Sequence, residues 1–319
     1  MMTAQRINVF LGRAITRLAY VIGLSIACCL AANAVDAKPP PAFSTFDPAA
    51  MFERMFGAQS TQQREKLAKI PISWTEEQRF GAQAAKAFLE SLRQHGIKVL
   101  ARGRDVDYLQ QLIQVIRPRM KNAQRYRHIK VYVADSDDTD ARCFPGGTIV
   151  VFRGMLEFAG SEAAMVGVLG HELSHLDHGH QLTNLRAMKL AQQTFRPGPH
   201  GVNFAEMMNN GFALVRLFAH PFRPEDEMVA DRDGAMWAYQ TGYDPREMAN
   251  LFLRLHRRDR GRGDQVPMFL RTHPYRMERY KMVMRLYQQL QAQDPKTNLY
   301  IGRTNLKRRI PRAEHRFKD

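Results

Sequence analysis

Apolar residues recur at helical spacing in several stretches of this chain. Downstream of Thr75-Glu76-Glu77, the residues Phe80, Ala84, Phe88 and Leu92 share one face, which predicts a helix over 75–95. Leu109, Leu112, Ile113 and Ile116 do the same for 104–121. Ile129, Val131 and Val133 alternate with polar or half-polar positions, which is strand spacing. Pro145-Gly146-Gly147 then signals a turn, and the run from Thr148 to Phe152 predicts a second strand. Ser161 suits the N-cap of a long helix running through Leu169 toward His175. Ala163, Ala164, Val166, Val168, Leu169 and Leu173 make that helix apolar on most sides, so it is expected to be central. Pro197, Gly198, Pro199 and Gly201 place a loop at 196–203, and helices are expected near 205–219, 225–240, 245–258 and 274–293. The pattern is α+β: mainly helical, with a small β-sheet next to the long central helix.

The first residues follow a different logic. Arg6, Arg13 and Arg17 precede an apolar stretch over 18–34 that ends in Ala32-Asn33-Ala34. A basic start, a short apolar core and a small-residue exit predict a signal peptide over 1–37, with an uncleaved N-terminal anchor as the competing reading. Residues 38–71 open on a stiff Lys-Pro-Pro-Pro leader. Asp47-Pro48 then starts a short amphipathic helix carrying Met51, Phe52, Met55 and Phe56. The main domain is expected over 72–293, and 294–319 reads as a basic C-terminal tail with eight Lys or Arg against three acids.

Composition narrows the class. The 319 residues are 45% hydrophobic and 24% charged, enough to build a core, which excludes wholesale disorder. Three cysteines exclude a disulfide scaffold, and removal of 1–34 would leave Cys143 alone. That removal also takes three arginines and no acid, lowering the net charge from +16 to +13. Arg254, Arg257, Arg258, Arg260 and Arg262 form one basic run, and Lys307, Arg308, Arg309, Arg312 and Arg316 a second. A surface of that sign attracts an anionic membrane surface or an acidic, unfolded polypeptide. An exported chain is not expected to meet nucleic acid.

The sharpest chemistry is His171-Glu172-Leu173-Ser174-His175. Residues four apart on a helix project from one face, so both imidazoles can bind one Zn²⁺ at ~2.0–2.1 Å. Glu172 reaches the attacking water instead, as general base and later general acid. A third ligand is required, and the spacing leaves several options. The glycine and histidine that a metzincin needs are replaced by His178 and Gln181. His178 or His180 remains open, as does an acid in Glu225-Asp226-Glu227-Met228-Val229-Ala230-Asp231. Glu227 and Asp231 lie four apart; one could bind metal while the other receives the free N–H of a ligand imidazole.

From about residue 72 to 290 the chain resembles the gluzincin-type zinc metallopeptidases of peptidase family 48. The resemblance rests on Pro145-Gly146-Gly147 with the following strand, the His171–His175 motif with His180 after it, and Glu227-x-x-Ala230-Asp231-Arg232-x-Gly234. It also rests on Gly242-Tyr243-Asp244-Pro245 and on His273-Pro274 with Arg279. It implies a zincin-like fold, one zinc per chain held by His171, His175 and Glu227, Glu172 as general base and acid, and Asp231 behind a ligand histidine. His273 would approach the metal and hold a latent state, or stand near the reacting carbonyl; His180 is a further possible site residue. The family often has Asn-Ala-Phe-Ala before the turn, where this chain reads Asp140-Ala141-Arg142-Cys143, which alters the lining of the substrate edge. The implied activity is a zinc metalloendopeptidase in the periplasm or envelope, acting on unfolded or misassembled envelope proteins that add as a strand near 141–151. The alternative is a latent or catalytically silent chaperone-like factor.

Overall fold

The computed structural model describes residues 61–194, 222–259 and 276–319. The expected signal segment, the Pro-rich leader with its amphipathic helix, the loop at 196–203, the helix at 205–219 and His273 all lie outside these residues.

The elements are α1 (Thr61–Ala68), α2 (Trp74–Gln94), β1 (Lys98–Leu100), α3 (Arg104–Ile116), β2 (Lys130–Asp135), β3 (Ala141–Phe144) and β4 (Thr148–Phe152). They continue with α4 (Arg153–Phe158), α5 (Glu162–His178), α6 (Leu182–Thr194), α7 (Pro224–Gln240), α8 (Arg246–Asp259), α9 (Arg276–Gln293) and α10 (Arg303–Arg308). The start of α2 is a capping box: Ser73 accepts from Glu76 N–H while Glu76 accepts from Ser73 N–H. Helix α3 stops at Ile116 and tightens into a 3₁₀ turn at Arg117–Arg119, five residues short of the expected span's end at 121, because Pro118 cannot continue the α-helical hydrogen bonding.

Four strands form one sheet in the order β1-β2-β4-β3. β2 and β4 are parallel, and the outer pairs are antiparallel. Helix α2 covers one face, placing Phe88, Leu89 and Leu92 on Val150, Phe152 and Phe144. Helices α3 and α5 cover the other, against Val131, Val133, Ile149 and Val151. With both faces covered, β4 is buried at every position, which is why its sequence runs apolar without alternation. Buried Glu77 on α2 ties down the turn before β4: it accepts from Gly146 N–H at 3.1 Å, Tyr126 Oη at 2.6 Å and Arg125 Nε at 2.9 Å.

Helix α5 is buried from Glu162 to Asp177. It crosses α7 backbone to backbone. A Cβ added to Gly234 would stand 2.8 Å from Gly167 O and 2.9 Å from His171 N, and one added to Gly170 would stand 2.8 Å from Gly234 Cα. The N-terminus of α5 is satisfied from far along the chain. Ser161 Oγ accepts from Ala164 N–H, while Gly302 and Ile301 carbonyls accept from Glu162 and Ala163 N–H. The Glu162 carboxylate receives Tyr108 Oη at 2.8 Å, Tyr243 Oη at 2.7 Å and Arg312 N–H at 2.9 Å. The segment read as a basic tail therefore packs on the central helix through residues 301–312. No described helix is long and apolar enough to cross a membrane.

Two outcomes follow. Gly234→Ala should lower stability by about 1–3 kcal/mol through overpacking, outweighing the ~1 kcal/mol that alanine gains in helix propensity; chemical unfolding checks it, and an unchanged midpoint refutes the tight crossing. A chain ending at residue 299 leaves two buried N–H groups of α5 without acceptors, at about 1–3 kcal/mol each, and should unfold at clearly lower denaturant than the full chain.

Candidate metal centre

The α5–α7 crossing sets the geometry. His171 and His175 stand one turn apart on α5, and their Nε2 atoms are 3.1 Å apart. Glu227, in the first turn of α7, places Oε1 3.4 Å from His175 Nε2 and Oε2 3.7 Å from His171 Nε2. All three residues are buried. A tetrahedral metal with bonds of ~2.0–2.1 Å has donor–donor edges of about 3.3–3.4 Å, close to the 3.1–3.7 Å between these nitrogens and the Glu227 oxygens facing them. A buried carboxylate and two facing imidazole nitrogens are costly together without a cation among them.

The outer nitrogens are also held. His171 Nδ1 lies 2.8 Å from Asp231 Oδ1, one turn after Glu227 on α7. Arg279 of α9 grips Asp231 through Nε at 2.6 Å and Nη2 at 2.7 Å, and sets Nη1 3.2 Å from Glu227 Oε2. Its guanidinium is fully buried and stacks 4.2 Å over the Phe252 ring. Burial works to raise the Asp231 carboxyl, but Arg279 and His171 keep it below the ordinary carboxylate range. Burial drives His171 the other way, down to about 3, so its imidazole is neutral and suited to donate a lone pair.

On the far side His175 Nδ1 meets His180 Nδ1 at 2.8 Å. With His175 Nε2 facing the metal site, its hydrogen sits on Nδ1 and donates to His180, whose own hydrogen then sits on Nε2, 3.7 Å from Asp226 Oδ1. Asp226 is itself held by Arg223 at 2.6 and 2.8 Å. Phe222 stacks on the His175 ring with centroids 3.9 Å apart. His180 thus lies behind a ligand-spaced histidine and outside the three-atom cluster. His178 points away to Asp233 at 2.7 Å.

Glu172 is buried beside the cluster and turns toward β3, where its carboxylate meets the Cys143 thiol. Burial pushes its carboxyl up to about 7, against the pull of His175 and the Cys143 hydrogen bond. The same burial, with the Glu172 charge, pushes the Cys143 thiol well up, so it is a protonated thiol.

The structure brings His171, His175, Glu227, Glu172, Asp231 and His180 into one cluster, while His273 lies outside the described residues. The anchoring by Arg279 was not read from sequence, although Arg279 belongs to the late motif that carried the resemblance. Nor was the contact of Gln181 with Cys143. Both link residues distant in the chain, and no spacing rule reaches them.

Residues 107–286, more than half of the chain, match peptidase family M48. The mitochondrial metalloendopeptidase OMA1 of Arabidopsis thaliana is 30% identical over 155 residues, 48% of this chain and 30% of that protein. The beta-barrel assembly-enhancing protease of Yersinia pestis is 28% identical over 156 residues, and that of Escherichia coli K12 24% over 153, each covering 45% of this chain and 31% of the relative. The chain therefore spans about a third of the length of these relatives. These matches, on a fold whose central helix crossing brings three possible metal ligands together, make the chain a member of peptidase family M48, whose metallopeptidases use zinc.

Proposed function

We propose that this chain is an exported endopeptidase that cleaves unfolded or misassembled envelope polypeptides. The observation that carries the catalytic part is the buried, zinc-spaced cluster of His171, His175 and Glu227 with Glu172 at its side. Export and substrate class are supported by the basic–apolar–small pattern of residues 1–34 and by the similarity to beta-barrel assembly-enhancing proteases.

In this reading His171, His175 and Glu227 hold the metal. Zinc bound there supplies Lewis acidity, lowering the pKa of water toward ~7 and polarising the scissile carbonyl. Asp231, gripped by Arg279, fixes the tautomer and orientation of His171, and His180 does the same for His175. Glu172 removes a proton from the attacking water and returns it to the leaving amine. Its raised pKa has burial as its cause, the usual way a carboxyl becomes a usable acid near neutrality. The substrate lies extended along β3, the outer strand of the sheet, beside Glu172. His273 is assigned to the oxyanion or to a latent state by the family resemblance alone.

The basic surface is smaller than the sequence count. Arg254 donates to the Ala159 carbonyl, Arg258 to Thr139, Arg309 to Asp105, and Arg312 to the Thr241 and Gly242 carbonyls. Arg257, Lys307, Arg308 and Arg316 stay exposed to meet an anionic membrane surface.

Unfolded casein is a suitable first substrate. Glu172→Gln should cut its cleavage by about 10²–10⁴-fold with zinc content unchanged, and a chelator should abolish it. Retained turnover in Glu172→Gln would sink the assignment, and zinc bound without any cleavage would favour the latent or chaperone-like reading. Arg279→Leu should weaken zinc binding by about 10–100-fold, read by competition with a chromogenic chelator; unchanged affinity would remove Arg279 from the metal's support.

A further inference from the structure

β3 is the last strand of the sheet, and its register shows which main-chain groups face outward. Asp140 O accepts from Phe152 N–H, so the pairs Asp140–Phe152, Arg142–Val150 and Phe144–Thr148 face inward, hydrogen-bonded across the ladder. Ala141 and Cys143 lie between them and turn their N–H and C=O away from β4. Ala141 N–H is taken by the Asp140 carboxylate at 3.0 Å. The Cys143 carbonyl is taken by Gln181 Nε2, which also lies 2.8 Å from Cys143 Sγ. Gln181 stands between the end of α5 and the start of α6 and is buried. Its Oε1 is buried as well and has no hydrogen-bond partner among the described residues. A half-satisfied buried amide costs about 1–3 kcal/mol, so a contact of this kind is poised to exchange.

We propose that Gln181 is a displaceable stopper on the substrate edge. Its side-chain amide holds the Cys143 carbonyl that the main-chain N–H of an extended substrate takes on binding. The proposal rests on β3 being the strand along which substrate lies. The exchange replaces one N–H···O=C bond by another of the same kind at the carbonyl. The displaced amide swings off the edge, where Oε1 gains the hydrogen bond it lacks in place. Only a segment that offers a main-chain N–H at this register can lift the stopper, which selects unfolded, strand-competent polypeptide and rejects proline at that position. The site is sensitive because the Cys143 thiol meets the Glu172 carboxylate, so a substrate seated at Cys143 is next to the proton-transferring group.

The test uses the full chain carrying Glu172→Gln, so that bound polypeptide is not consumed. Binding of fluorescently labelled, unfolded casein is followed by anisotropy. Adding Gln181→Ala or the volume-keeping Gln181→Leu should tighten binding by about 2- to 10-fold, the worth of one competing hydrogen bond. A residue with only a structural role would loosen β3 and weaken binding. Unchanged or weaker binding in the Leu variant, with zinc content and unfolding midpoint retained, overturns the proposal. Hydrogen exchange of residues 139–145 with and without casein separates the two levels. Protection there without a gain in affinity defeats the stopper alone. No protection there removes β3 as the substrate edge, and the stopper with it.

Discussion

The contact on which the molecule turns is the place where α5 and α7 touch without side chains between them. At Gly170 and Gly234 two backbones approach to a separation that any Cβ would enlarge. Interaxial distance is set by what lies at the crossing, and here nothing does. That closeness lets a carboxylate on one helix reach two imidazoles on the other across about 3.5 Å. Moving the helices apart by the width of a methyl group would leave three donor groups too far apart to share one ion.

A second layer works against electrostatic cost. Two carboxylates, Glu227 and Asp231, are buried within one turn of each other beside two histidines. Arg279 lies against both acids and takes the negative charge that a desolvated pair could not otherwise sustain. The guanidinium in turn is desolvated against Phe252, so its own charge is worth most where it is placed. The site is thus organised from the outside inward: aromatic ring, arginine, carboxylates, imidazoles.

Much of the frame was legible in the pattern of residues. Ser161 and the apolar turns after it foretold α5, alternation foretold β2, and an apolar run after a turn foretold β4. Elements without a periodic face were missed: β1 has three residues, β3 mixes Arg142 with Cys143, and α4 and α6 are short or weakly patterned. At the site, the i, i+4 rule identified a histidine pair but left the third ligand open among histidines and acids. Only the family resemblance singled out Glu227, and only the fold brings its carboxylate within 3.4–3.7 Å of the two histidine nitrogens. The contacts of Arg279 and Gln181 were illegible because their partners lie 48 and 38 positions away, where no local rule operates.

The cap on the central helix has a consequence for the order in which this molecule can come into being. The α5 N-terminus takes two backbone acceptors and one of its Glu162 partners from a segment about 140–150 positions later in the chain. A ribosome releases that segment long after the histidines have emerged. Until it arrives, the helix that bears His171, Glu172 and His175 lacks acceptors for two buried N–H groups and is held less firmly than in the full chain.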